Sequence, residues 1–370
     1  MKLFLFLILI SISFPFVLND SIHSIRNLFF TSTFNNKSNF HFNGAFRNVF
    51  NVSINDNVDF NIHLNHQYFN KSLLTNNLNR FEQFSHHLYQ NQHLISKIDR
   101  FQFNFSHKQV DFVLGRQAIS FGTSHFISVM DIINPFAPGT IDSSYKSGID
   151  ALRIQKATGD TGEIEFIFSP NESNKDNAYF FRSRQLIKNI DYEFLIGRFR
   201  QHNMIAFAFE GEIKKQSIWG ESSFIQFDNN PFDFNNHQSY NLSFNIGLDF
   251  HPHEFENISI SWFHQQSGAK NPQDFTRVLS NPSFKEQFSY LKGKNYFNLN
   301  YQRKIKALVD IGLSFIYNIN DYSIFFQPKL SINTSNNSDL VIFYSVGIGS
   351  QTSDFGSFSN TIGIFSQYYF

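Results

Sequence analysis

The chain ends in SFSNTIGIFSQYYF, residues 357–370, and stops on an aromatic side chain. Ile362, Ile364, Tyr368 and Phe370 share one parity, with Ser366 as its only polar member. Thr361, Gly363, Phe365, Gln367 and Tyr369 share the other. A period of two belongs to a β-strand, whose successive side chains point to opposite faces. A soluble domain gains nothing from an apolar aromatic final residue, because its chain ends lie at the surface.

The same alternation recurs upstream. Val58, Phe60, Ile62 and Leu64 oppose Asp59, Asn61, His63 and Asn65, and Phe101, Phe103 and Phe105 oppose Arg100, Gln102 and Asn104. Ile205, Phe207 and Phe209 oppose Ala206, Ala208, Glu210 and Glu212. Leu242, Phe244, Ile246 and Leu248 oppose Asn241, Ser243, Asn245, Gly247 and Asp249. Tyr322, Ile324, Phe326, Leu330 and Ile332 oppose Ser323, Gln327, Lys329, Ser331 and Asn333. Each run is ~10 residues, the length of a tilted strand crossing a bilayer. A soluble β-sandwich also alternates, but it packs its apolar faces around one core. Here Arg, Glu, Asp, Asn and Gln recur in mid-strand on the polar faces. A wide barrel with lipid outside and water inside satisfies both faces at once. The mean hydropathy of -0.27 fits a protein that is apolar on one side only.

The closing strand resembles that of Gram-negative outer-membrane β-barrels, in which the barrel-insertion machinery reads a terminal Phe and an aromatic residue two positions earlier. Tyr368 and Phe370 match, and the small residue usual further upstream appears as Gly363, displaced from its usual place. The resemblance implies residence in the bacterial outer membrane, in contact with its lipid and lipopolysaccharide. The other end agrees. Met1-Lys2 is followed by an apolar run, residues 3–18, broken only by Ser11, Ser13 and Pro15. That pattern is a secretory signal peptide, assigned to residues 1–19, and it leaves 20–370 as a single barrel. No later stretch approaches the ~20 apolar residues of a spanning helix.

Composition narrows the rest. The 370 residues carry a formal net charge of +0 and no Cys. Disulfides and thiolate chemistry are therefore excluded, and a neutral balance argues against nucleic acid as a partner. The 50 Phe say less by their number than by where they fall.

The chain is expected to be all-β, a transmembrane antiparallel barrel of about eighteen strands, with sixteen as the nearest alternative. The hairpin before Phe50 is the least secure. With Phe370 in the periplasm, the long connections 69–96, 119–148, 228–237 and 267–287 all fall on the outer side. Short turns at Lys214-Lys215 and Arg303-Lys304 fall on the inner side, as in outer-membrane barrels generally.

Residues 114–155 form the most distinctive stretch. Gly115-Arg116-Gln117, Phe121-Gly122, Asp131, Asn134-Pro135 and the run from Gly148 to Arg153 resemble a pattern of outer-membrane porin-like families, with Phe121 where Trp is commoner. The resemblance covers about 40 residues and implies a porin-like barrel without naming a substrate. The loop 119–148, with Pro135, Pro138, Phe126, Ile127, Val129, Ile132, Ile133 and Phe136, is too apolar to extend into water. It is expected to fold into the mouth or lumen and narrow the pore. Asp131 or Asp142 is expected to pair with Arg116 or Arg153. Arg153 faces the lumen by parity. Arg116 shares parity with Phe112 and Leu114, so a bulge must re-aim it or it lies at the rim.

Arg100, Arg182 and Arg184 are further lumen cations, countered by Glu210, Glu212, Asp249 and Asp310, so weak ion selectivity is expected. Arg198 and Arg200 stand near an outer turn, within reach of headgroup or lipopolysaccharide phosphate. Trp219 and Trp262 suit an interfacial girdle, and a homotrimer is the assembly many porins adopt. No catalytic residue, cofactor or metal site is expected. His237-Gln238-Ser239 has the His/Ser spacing of outer-membrane phospholipases, but Tyr240 stands where those enzymes carry Asn. The reading that follows is a passive diffusion channel for small hydrophilic solutes. The alternative is a barrel without transport, serving surface attachment or polysaccharide export and assembly.

Overall fold

The computed structural model describes residues 17–34, 37–70, 87–91, 93–124, 127–133, 136, 139–141, 145–171, 173–213, 216–227, 239–286 and 288–370. Its strands are β1 (Val17–Phe34), β2 (Lys37–Asn55), β3 (Val58–Phe69), β4 (His87–Gln90), β5 (Leu94–His107), β6 (Val110–Gln117) and β7 (Ile149–Thr158). They continue with β8 (Gly162–Ser169), β9 (Ala178–Ile187), β10 (Ile190–Phe199), β11 (His202–Ile213), β12 (Gln216–Gln226) and β13 (Tyr240–Phe250). The last six are β14 (Glu256–Gln265), β15 (Asn295–Lys306), β16 (Val309–Asn318), β17 (Ile324–Ser335), β18 (Ser338–Ile348) and β19 (Asn360–Tyr369). Every neighbouring pair is antiparallel, and β1 pairs with both β2 and β19, which closes the sheet.

β3 pairs directly with β5, while the short β4 only adds to the outer extension of β5, where β6 has already ended. Leaving β4 aside, eighteen of the nineteen strands form the barrel. The doubtful first hairpin is its longest, with strands of 18 and 19 residues. Closure runs from Thr33 opposite Asn360 to Ser24 opposite Tyr369. Beyond it, His23 and Phe370 exchange main-chain hydrogen bonds of 2.9 and 3.0 Å. Val17 to Asn19, inside the segment read as a leader, lie within β1.

Tight reversals explain the short inner turns. Lys108 (φ 56°), Gly159 (φ 64°) and Lys188 (φ 59°) hold the left-handed conformation that two- and three-residue hairpin turns require. Two boundaries differ from the sequence reading. Arg303 and Lys304 continue β15, so that turn lies at Ala307-Leu308. Tyr322 is not in the strand with Ile324 but in the turn before it, at φ 62° and exposed. Lys214-Lys215 lies outside the described residues.

The faces are sorted as alternation requires. Phe103, Leu114, Phe181, Ile196, Ile205, Phe207, Ile246, Ile362, Ile364 and Tyr368 are exposed, whereas Arg100, Glu165, Glu193, Glu221, Asn245, Asn298 and Gln367 are buried. Apolar outside and polar inside is the inverse of a soluble core and the signature of a barrel in lipid. Trp262 follows this rule, outward and 44% exposed, but Trp219 corrects the girdle reading. Trp219 shares the inward parity of Glu221, is fully buried, and its indole N–H donates to Asp249 at 3.2 Å.

One part of the inner wall is apolar. Ile149, Ala151, Ile167, Phe180, Leu195, Phe199, Met204, Ala206 and Ile225, inward residues of β7 to β12, form a continuous buried cluster. Its remaining members come mainly from the loop 118–148: Ile119, Phe121, Met130, Ile132 and Ile133. These residues of the loop therefore lie inside the barrel.

Candidate functional site

The outgoing limb of that loop is held by two wall carboxylates. Glu221, in mid-β12, accepts from the main-chain N–H groups of Thr123 and Ser124 at 2.5 Å each, from Val129 at 2.9 Å and from the Ser128 hydroxyl at 2.8 Å. Glu193 on β10 accepts from Gly122 N–H at 3.2 Å. Gly122 sits at φ 85°, and a Cβ there would collide with the Glu221 carboxylate. The aromatic-glycine step Phe121-Gly122 thus has a physical cause: the ring enters the apolar wall and the bare backbone meets the acid. Asn245 on β13 extends the clamp, its amide donating to Ser124 Oγ at 2.9 Å and Ile127 C=O at 2.8 Å.

From there the loop crosses the lumen. Val129, backed by Ile127, packs into a second cluster, along the wall from β14 to β17, with Phe263, Leu291, Tyr296, Ile316, Phe325 and Phe355. Gln327 on β17 donates to Gly139 C=O at 3.0 Å. Between loop, β12–β14 wall and residues 288–291 a cavity of about 30 Å³ remains, room for about one water.

The return limb meets a group of arginines. The Tyr145 ring lies between the guanidinium groups of Arg26, 4.7 Å from its centroid, and Arg47, 4.2 Å away. Arg47 also pairs with Asp99 at 2.5 Å, and Arg100 donates to Lys146 C=O. The Lys146 ammonium reaches Asp131 at 2.5 Å and Ser120 Oγ at 2.9 Å. Burial pushes Lys146 below the ordinary lysine range, and Asp131 opposes that shift.

The anticipated ion pairs are therefore reassigned. Asp131 pairs with Lys146, within the loop, while Arg116 pairs with Asp150 at 3.3 Å and Arg153 pairs with Glu165. The register explains two of these: Asp150 is directly opposite Arg116, and Glu165, two residues from the Ile167 that faces Arg153, is its diagonal neighbour on the same face. Asp142 lies outside the described residues, as does Asn134-Pro135. Arg116 is 1% exposed and lies over Gly148. The register of β6 runs unbroken through it, so no bulge re-aims it. The preceding Gly115, at φ 114°, is the irregular point, in a conformation open to glycine.

On the side of the apolar wall nearer the short turns runs a belt of charge. Arg153 on β7 meets Glu165 on β8, and Arg182 on β9 lies 3.3 Å from Glu165, 3.6 Å from Glu163 and 2.9 Å from Glu193 on β10. Arg184 pairs with Asp191 further down. Glu210 and Glu212 stay on the inward parity at the short-turn end of β11, where Glu210 lies directly opposite Asp191 of the belt. Arg198 and Arg200 do not share a strand face: Arg200 occupies the outer turn at φ 42° and pairs with Glu286 at 3.1 Å. Among the described residues no three His, Asp or Glu converge as a metal site. As site residues, Glu221, Glu193, Glu165, Asn245, Tyr145 and Lys146 escaped the sequence reading. Strand parity marks the first four as inward, but nothing in the sequence shows what each one meets.

A closed barrel of eighteen antiparallel strands with an apolar belt, a polar wall and a loop folded inside has the architecture of bacterial outer-membrane porins, and its surface is built for that membrane. Solved structures of this fold include a BenF-like porin from Pseudomonas fluorescens Pf-5, with a TM-score of 0.64 and 9% identity over 95% of this chain and 99% of that one. The outer membrane protein opdK from Pseudomonas aeruginosa gives 0.62 and 7% over 95% and 99%, and OccAB4 of Acinetobacter baumannii gives 0.59 and 10% over 95% and 97%. No family profile and no curated protein matches the chain.

Proposed function

We propose that the chain, exported behind the leader 1–19, is a porin-like diffusion channel for small hydrophilic solutes. Its lumen is narrowed by the loop 118–148 and lined by the belt from Arg153 to Glu193. The observation that carries this reading is the ion-paired inner wall beneath a folded-in loop, because lumen-facing charge has a use only where water and solute reach it. In the belt Arg153, Arg182 and Arg184 stand against Glu163, Glu165, Asp191 and Glu193. Such near balance supports weak ion selectivity.

The apolar contacts of the loop with both walls favour a second reading, a plugged barrel with a structural role at the cell surface. Reconstitution in planar bilayers separates the two. Stepwise conductance of the intact chain that increases when residues 123–146 are deleted supports the channel and its constriction; an intact barrel that is silent and conducts only after the deletion supports the plug.

A further inference from the structure

The connection between β14 and β15, residues 266–294, builds a cavity of its own. Its two limbs are drawn together where Ala269 N–H donates to Lys292 C=O at 2.8 Å and the Gln265 amide donates to Leu291 and Gly293 C=O at 2.6 and 2.7 Å. The short helices Phe275–Ser280 and Pro282–Lys285 fold back over this neck. Ala269, Phe275 and Val278, backed by Phe284, form a small apolar cluster beneath. The cavity measures about 410 Å³, within the ~300–1,000 Å³ typical of small-molecule sites.

Its charge is one-sided. Lys270, Arg277 and Lys294 line it with a single carboxylate, Asp274, three cations against one anion. None of the three cations has an ion-pair partner among the described residues, unlike neighbouring Lys292, which pairs with Asp354 at 3.6 Å and lies over the Phe275 ring. Burial, and then the charge of Lys270, push the Lys294 ammonium below its ordinary range. Like charges gathered in partial burial repel, and an anion among them offsets that repulsion.

We propose that this cavity binds a phosphoryl group, held by Lys270, Arg277 and Lys294. A phosphate monoester carries about −1.5 to −2 charge near neutral pH and several strong acceptors, which matches the surplus of two. The guanidinium offers a planar fork and each ammonium a point charge, a donor set suited to tetrahedral oxygens. A monocarboxylate leaves part of that surplus unmatched. The ligand is either a phosphorylated solute or a phosphate of lipopolysaccharide in the outer leaflet. Binding here does not depend on passage through the lumen, so it stands or falls separately from the channel reading.

The test is titration calorimetry of the detergent-solubilised full chain, with glucose 6-phosphate, with glucose, and with lipopolysaccharide before and after enzymatic dephosphorylation. Wild type, Arg277→Gln and the triple variant Lys270→Gln/Arg277→Gln/Lys294→Gln are compared, and heat-modifiable migration confirms the barrel in each. Saturable binding of at least one phosphorylated ligand is expected, weakened at least tenfold by Arg277→Gln and lost in the triple variant. Glucose and the dephosphorylated lipid should give none. The sugar phosphate alone binding assigns the site to a solute, the lipid alone binding assigns it to the membrane, and both binding supports the shared chemistry. The proposal is overturned if neither saturates, if glucose binds as well as its phosphate, or if Arg277→Gln binds like wild type. Should the triple variant fail to form a barrel, the Arg277→Gln result decides.

Discussion

Glu221 on the barrel wall accepts a hydrogen bond from the main-chain N–H of Val129 at 2.9 Å, although 92 residues separate them in sequence. With the bonds from Thr123, Ser124 and Ser128, one carboxylate pins the outgoing limb of the inner loop. A hydrogen bond to a charged group contributes about 1.5–3 kcal/mol, and a stranded buried donor costs a comparable amount. Glu221→Ala should therefore loosen the loop while leaving the eighteen-strand closure intact. Single-channel recording is expected to show higher and noisier conductance with unchanged heat-modifiable migration. Conductance indistinguishable from wild type would show that another contact holds the limb.

The Asp131–Lys146 pair ties the two limbs of the loop to each other. Removing one partner strands the other in a poorly solvated place, a loss of about 3–5 kcal/mol for a fully buried pair and less for one as open as Asp131. Lys146→Met and Asp131→Asn should each raise cleavage of the loop by added protease. The double variant is expected to be less sensitive than the sum of the singles, because it strands nothing. Strict additivity would mean that the pair is not coupled.

Arg182 neutralises two wall glutamates at once, Glu165 at 3.3 Å and Glu193 at 2.9 Å. Arg182→Gln widens the belt's excess of carboxylates over guanidinium groups from one to two, so cations should be favoured over anions. The reversal potential across a salt gradient measures this directly. A shift toward cation preference is expected, shrinking as ionic strength rises because the lumen charge is screened. A shift toward anions would contradict the assignment of these residues to the water path.

Phe370 closes the barrel through its backbone, exchanging hydrogen bonds with His23, and its ring lies against those of His23, Phe46 and Tyr368. A Phe370→Ser change keeps the main-chain pairing and removes only the ring. If the ring is what insertion machinery reads, folded protein in outer-membrane fractions should fall several-fold, while refolding of purified protein into detergent is much less affected. An equal loss in both settings would assign the ring to barrel stability instead.

Several features of this barrel are local properties and were legible in one dimension. Alternation along β13 put Asn241, Ser243, Asn245 and Asp249 inside and Leu242, Ile246 and Leu248 outside, as the structure has them. Parity with Glu221 was equally available for Trp219, and following it instead of the general habit of tryptophan would have put that ring inside. The length and apolar content of residues 119–148 pointed to a loop folded back on the barrel.

The sequence by itself determined the β-architecture and the inward or outward aim of most strand residues. A bilayer imposes one rule on every strand, and a period of two records it residue by residue. Only the tertiary structure decided which inward groups meet: Asp131 with Lys146, Arg116 with Asp150, and Glu221 with the backbone of a loop from six strands earlier. Those contacts depend on register, on the curvature that brings both walls within reach of one loop, and on desolvation inside the lumen. None of these is a property of a single strand.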